Sequence, residues 1–326
     1  MTAHIPKAEL HCHIEGAAEP ELVLRLARKY SLDMSGIIKD GRYVWSDFTS
    51  FLNCYDQASG VFREPEDYRL LAYDYYSRLA DQNAIYGEVF ASPDHAGLMG
   101  ISYTELIGAI ADGIEDAKAD HGIEGRILVT CVRHLGPESA EQVAEQLAAN
   151  PHPLVTGFGM AGDERAFEVA DFANAFAIAS DAGMGLTAHA GELRGPQSVR
   201  DVIDILGATR IGHGVRSVED PLLLERLREE GIVLEVCAGS NVALNIYPGF
   251  DSHPLAEFLD AGIACTLNSD DPPYFYTSLA REYEIAQKHF GLHDHDLIAC
   301  TRTALDAAFV DEKTRSRLLK QLADTA

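Results

Sequence analysis

The chain has 326 residues, 47% hydrophobic and 24% charged, the make-up of an ordinary globular protein with a large core. Its 51 acidic against 26 basic residues give a formal net charge of −25, which repels phosphate backbones and anionic bilayers, so neither nucleic acid nor a membrane surface is expected as a partner. No apolar stretch approaches a membrane span, the segment from Met1 to Lys7 lacks the apolar core of a secretion signal, and six scattered cysteines form no CxxC pair; a cytoplasmic location is expected.

The first expected strand covers residues 8–13 and carries His11-Cys12-His13. Side chains at i and i+2 share one face of a strand, so the two imidazoles can reach one ion while Cys12 packs on the other side. Taken alone, the pair reads more simply as two unrelated polar residues in a strand. About seventy residues then separate this strand from the next, where a barrel connection is usually far shorter. That connection carries helical signals and the aromatics Trp45, Phe48, Phe51, Tyr55 and Phe62. They suit either an extra helical layer with its own small core or an apolar lid over a site.

Further strands are expected at 85–92, 126–132, 154–160, 185–190, 210–213, 232–236 and 264–268, each followed by a longer amphipathic stretch. Pro20, Pro65, Pro137, Pro196 and Pro221 mark helix starts, where the missing N–H would be unpaired anyway. Gly122, Gly183, Gly231 and Gly262 mark helix ends. Eight such alternations predict an α/β fold: one closed parallel (β/α)8 barrel of TIM type, with the helical, aromatic-rich insertion after strand one and residues 1–326 forming a single domain.

The polar residues with chemical potential fall at the ends of strands one, five, six and eight. They are His11 and His13, then His189 and Glu192, then His213, then Asp270 and Asp271. The C-terminal strand ends of such a barrel form its active face, so all should meet at one mouth. Imidazoles with a carboxylate suit a catalytic metal with an open position for water, zinc or iron in a similar setting, which brings the pKa of that water to about 7. His11, His13, His189 and Asp270 would be the ligands, with Glu192 near enough to move a proton. Each also has a plainer reading: Asp271 as the cap of a helix opened by Pro272, His213 as a hydrogen-bonded core residue, Glu192 as the start of the next helix.

The motifs that hold these residues resemble those of the adenosine and adenine deaminase group of the amidohydrolase superfamily, nearly end to end. Pro6-Lys7-Ala8-Glu9-Leu10-His11-Cys12-His13-Ile14-Glu15-Gly16 is similar to its first metal motif, and Ala188-His189-Ala190-Gly191-Glu192 to its second. Gly212-His213-Gly214 and Ser269-Asp270-Asp271-Pro272 complete the set. The resemblance implies one zinc on His11, His13, His189 and Asp270. It implies that Glu192 protonates purine N1 and that His213 orients the attacking water and stabilises its charge. It further implies that Asp271 meets N7, that the backbone at Gly162 meets N3, and that Glu15 lies on the substrate side of the metal pair. The implied reaction turns a 6-aminopurine into a 6-oxopurine and releases ammonia.

The substrate is divided between relatives. Glu15, where adenosine deaminases commonly have aspartate, and the following Glu19-Pro20-Glu21-Leu22 resemble adenine deaminases. Ala161-Gly162-Asp163-Glu164 is adenosine-like, and Tyr276-Thr277-Ser278-Leu279 lacks a glycine-rich form associated with adenine deaminases. The expected substrate is adenosine or 2′-deoxyadenosine, with adenine the runner-up and a larger modified adenosine a further alternative. A zinc cytidine deaminase would need a Pro-Cys-x-x-Cys, absent here, and a binuclear amidohydrolase a lysine on strand four, which has none. A non-catalytic relative would be expected to lack Glu192 or His213.

Overall fold

The computed structural model describes residues 2–325. Eight parallel strands form the barrel: β1 (Lys7–Glu9), β2 (Ala84–Ala91), β3 (Glu124–Val132), β4 (Val155–Ala161), β5 (Gly185–Ala190), β6 (Arg210–His213), β7 (Val233–Val236) and β8 (Cys265–Leu267). Each pairs with the next in sequence, and helices cover the outside. β2 and β3 are buried along their whole length, as a parallel sheet covered on both faces requires. The expected (β/α)8 architecture is therefore present. Prolines occupy the first turn of the helices starting at Pro20, Pro65, Pro137, Pro196 and Pro221, and Gly122 and Gly231 end two helices in the left-handed conformation.

The seam between β8 and β1 departs from the expected pattern. Regular pairing of β1 stops at Glu9 instead of running to His13, because side chains take over the ladder. Asn268 Oδ1 accepts the Leu10 N–H at 3.0 Å, and Glu9 accepts the Ser269 N–H at 3.0 Å. Beyond that point the chain stays extended through isolated bridges from Cys12 to Asp270 and from His13 to Phe90. His13 N–H donates to Asp270 O at 3.1 Å, and Asp270 N–H to His11 O at 3.0 Å. The barrel is thus closed at its mouth by the backbone of three candidate ligands.

The insertion after β1 holds three helices, α1 (Pro20–Tyr30), α2 (Phe48–Ser59) and α3 (Pro65–Asp81), with a small hairpin between α1 and α2. Asp47 and Ser50 form a capping box that starts α2. Both readings of this segment apply, to different residues. Phe62 is fully buried against Tyr68 and belongs to the core, whereas Phe48, Phe51 and Tyr55 face a cavity at the barrel mouth. Trp45 Nε1 donates to Tyr274 O at 3.1 Å and Tyr276 Oη to Tyr43 O at 2.7 Å, tying the insertion to the loop after β8.

Opposite the mouth, Phe309 plugs the barrel base. A Cβ at Gly185 would lie 2.3 Å from its ring and one at Gly157 2.8 Å, so glycine at the start of β5 and near the start of β4 admits it. The buried Arg210 lies on the inner side of that ring, between Glu88 at 2.7 Å and Glu235 at 2.6 Å, with its guanidinium 3.9 Å from the Phe309 ring centre. Among the described residues, no helix is long and apolar enough to cross a membrane.

Candidate active site

The strand ends deliver their side chains to one point. His11 Nε2 lies 3.1 Å from His189 Nε2, and His13 Nε2 lies 3.3 Å from the same atom. Asp270 Oδ1 is 3.5 Å from His11 Nε2 and 3.4 Å from His13 Nε2. His11, His189, His213 and Asp270 can bring donor atoms within 4.8 Å of one another, and His13, Asp270 and Asp271 form an overlapping group.

The partners of these groups decide what they can hold. Glu235 Oε2 is 2.7 Å from His11 Nδ1, and Met160 O is 2.9 Å from His189 Nδ1, so each ring spends its N–H there and turns an Nε2 lone pair inward. Ser240 Oγ–H donates to Asp270 Oδ2 at 2.6 Å, leaving Oδ1 to the cluster. Lone pairs this close repel unless a cation lies among them. Tetrahedral donors at about 2.0–2.1 Å from an ion are about 3.3–3.4 Å apart, close to the spacing of His11, His13, His189 and Asp270. The donor set therefore fits a metal ion. Burial opposes a charge on His11, but its hydrogen bonds to Asp270 and Glu235 raise its pKa to about 10.

Backbone geometry aims two of these side chains. His213 (φ 60) and Asp270 (φ 63) are in the left-handed region, entered with least difficulty among non-glycine residues by Asn, Asp and His. Gly212 precedes the first of them because a Cβ there would come within 2.8 Å of the His11 ring. Gly16 has a similar role: its Cβ would stand 1.6 Å from Asp271 Oδ1.

Around the cluster are three buried carboxyl groups and one half-buried glycine that a substrate could meet. Glu192 Oε1 is 3.8 Å from His213 Nε2, and burial, then repulsion from Asp270 and Glu164, pushes its carboxyl well above the usual range. Its loop is held by Glu164, whose carboxylate accepts the N–H groups of Gly191, Glu192, Leu193 and Arg194 and the Ser198 hydroxyl. The plainer reading of Glu192 fails, since the next helix starts only at Pro196. Asp271 is raised by burial and by Asp270 beside it; among the described residues it caps no helix and its Oδ1 is buried without a hydrogen-bond partner. Glu15 is buried, with Oε2 accepting from Tyr55 Oη at 3.1 Å and Oε1 from Tyr68 Oη at 3.3 Å. Gly162 (φ 95) lies on the wall, where a Cβ would meet His134 at 2.8 Å.

These groups line a cavity that is partly open to solvent. Its walls are aromatic: Phe48, Phe51 and Tyr55 from α2, Phe90 from β2 and Phe275 from the loop after β8. All nine residues singled out from the sequence lie in or around this one region. Sequence reasoning missed Glu235, Ser240, Asn241 and His253, and left Glu164 as a motif letter without a role.

The sequence profile of a family described as adenosine deaminase matches residues 6–325. A protein of Sinorhizobium medicae named adenine deaminase is 56% identical over 322 residues, covering 99% of both chains. Among solved structures, adenine deaminase from Arthrobacter aurescens superposes with a TM-score of 0.92 at 27% identity, over 98% of each chain. An amidohydrolase from Burkholderia ambifaria, solved with bound zinc, superposes with a TM-score of 0.88 at 27% identity, over 99% of this chain and 93% of that one.

Proposed function

The chain belongs to the adenosine deaminase family, and we propose that it hydrolyses free adenine, replacing the 6-amino group with a 6-oxo group to give hypoxanthine and ammonia. The observation that carries the reaction class is the meeting of three histidines, one aspartate and the raised carboxyl of Glu192 at one buried point.

Of the substrates weighed from sequence, the runner-up, the free base, has more support than the nucleoside. The 56% identical relative carries the name adenine deaminase along its whole length. Within the cavity, Tyr55 and Tyr68 hold Glu15 as a buried acceptor beneath the aromatic lid. Such an acceptor suits the N9–H that a free base has and a nucleoside lacks. The adenosine-like segment Ala161-Gly162-Asp163-Glu164 has other work: Gly162 makes room beside His134, and Glu164 holds the Glu192 loop.

His11, His13, His189 and Asp270 would hold one zinc ion, with iron a possible substitute at the same donors. When bound, the ion acidifies water so that hydroxide is available near neutral pH. Glu192, kept neutral by burial, gives its proton to N1, which draws electron density from C6 and prepares it for attack. Its carboxylate then takes the proton of the hydroxyl added at C6 and carries it to the departing amine, leaving the 6-oxo group. His213 orients the attacking oxygen and stabilises the charge that develops on it. Asp271, also kept neutral, donates to N7, and the Gly162 backbone meets N3.

The whole chain 1–326 is read as one catalytic domain, since insertion and barrel residues share one apolar core. A cytoplasmic location is supported by six buried free thiols, and the charge of −25 weighs against nucleic acid and membrane partners. The substrate is tested with zinc-loaded protein and matched assays on adenine, adenosine, 2′-deoxyadenosine and N6-substituted analogues. Adenine should exceed adenosine in kcat/KM by roughly 10²-fold or more; a faster reaction with adenosine would return the assignment to the nucleoside.

A further inference from the structure

We propose that Asn241 and His253 are positioning residues that hold His213 as the tautomer protonated on Nε2, so that it meets the reacting centre as a hydrogen-bond donor and not as a base. This rests on the reading that His213 takes part in the reaction.

The proton's place follows from a donor that cannot reverse. Leu255 opens the helix Leu255–Asp260, and its backbone N–H, with no partner inside the helix, lies 3.3 Å from His253 Nδ1. His253 must therefore accept at Nδ1. Burial lowers its pKa to about 3, so the neutral ring carries its single proton on Nε2. That Nε2–H faces Asn241 Oδ1 at 3.1 Å, which fixes the amide: turning it over would set its NH2 against the imidazole N–H. Asn241 Nδ2 then points at His213 Nδ1, 3.3 Å away, and can only donate to it. With Nδ1 accepting, the proton of His213 is on Nε2, the nitrogen 3.8 Å from Glu192 Oε1.

Every member is buried, so water cannot substitute for a lost link. Tyr247 and Phe290 pack against the His253 ring at 5.2 and 5.5 Å between centroids and hold its plane. The chain thus runs from a helix start on the barrel's outer layer to the reacting centre, through polar groups that each have one permitted orientation.

Nitrogen-15 NMR of the histidines in zinc-loaded protein, with the His213 signals assigned by their loss in His213→Gln, reads the tautomer directly. The expected spectrum has the proton on Nε2 of both His213 and His253. Asn241→Asp places an acceptor opposite both rings, so the proton should move to Nδ1 of His213, and kcat should fall roughly 10–100-fold with KM for adenine and zinc content little changed. His253→Leu frees the amide to turn and should lower kcat less; His253→Gln, whose own amide can donate to Asn241, should recover most of that loss. A wild-type His213 protonated on Nδ1, or an Asn241→Asp variant with unchanged kcat, would overturn the relay. A correct tautomer together with full turnover in a zinc-loaded His213→Ala variant would instead overturn the catalytic role on which it rests.

Discussion

The two ends of the barrel bury charge to different effect. At the base, Arg210 lies between Glu88 and Glu235 against the Phe309 ring, and the backbone N–H of Phe309 reaches Glu88 Oε1 at 2.8 Å. One cation faces two carboxylates there, and the other oxygen of Glu235 accepts from the His11 Nδ1–H. At the mouth, by contrast, the inward Nε2 atoms of His11 and His189, the unpartnered Oδ1 of Asp271 and the raised carboxyl of Glu192 have no resolution inside the protein. Burial is alike at both ends. What separates scaffold from site is whether the buried polar groups are answered by one another or left for something else.

That contrast breaks most visibly at Glu192. Replacing it with Gln should lower kcat for deamination by roughly 10²–10⁴-fold while metal content stays near wild type and unfolding free energy does not fall, because the change removes a proton donor and no structural partner. Steady-state rates with metal analysis and urea unfolding check it; full activity would remove the residue from proton transfer.

Arg210→Met should give the reverse pattern. It leaves Glu88 and Glu235 buried without their cation, so stability should fall by about 3–5 kcal/mol in urea or thermal unfolding. A loss below 1 kcal/mol would mean that the base is no better answered than the mouth.

Glu282→Gln is the smallest and sharpest test. Burial raises this carboxyl to about 7, although it accepts from the Gly239 N–H at 3.0 Å and the Thr277 hydroxyl. The folded state then binds more protons than the unfolded state between roughly pH 4.5 and 7, so this group makes stability fall as pH rises through that window. The Gln variant should lose that share of the slope, gaining on the wild type by on the order of 1–3 kcal/mol between pH 4.5 and 7.5. An unchanged difference between the two proteins across those pH values would show that Glu282 titrates as an exposed acid does.

Much of the barrel was legible in the sequence because its punctuation is local: Pro137 or Pro221 opens a helix by its own chemistry, whatever packs on it. The residues of the site were legible because parallel strands share a direction, so ends far apart in sequence meet at one mouth. Glu235, Asn241 and His253 were not, because their meaning lies in contacts that exist only once the barrel closes; in the chain they read as a buried strand residue, a short helix and a loop. The early end of β1 was hidden for a related reason, since Asn268 and Glu9 replace backbone pairing from side chains 258 and 260 residues away from their partners. The insertion reads as two possibilities, and nothing in Phe51 and Phe62 as letters says which faces the cavity and which the core alone.

The left-handed backbone at His213 and Asp270 has an evolutionary consequence. Positions with this conformation accept Gly, Asn, Asp and His readily and most other residues with strain. Two of the polar corners of the site therefore draw on an alphabet of about four letters, three of them able to bind a metal or a proton. Descendants of this scaffold can explore new chemistry there by single exchanges within that short alphabet, while a longer or branched side chain at either corner must first await a change in the loop that carries it.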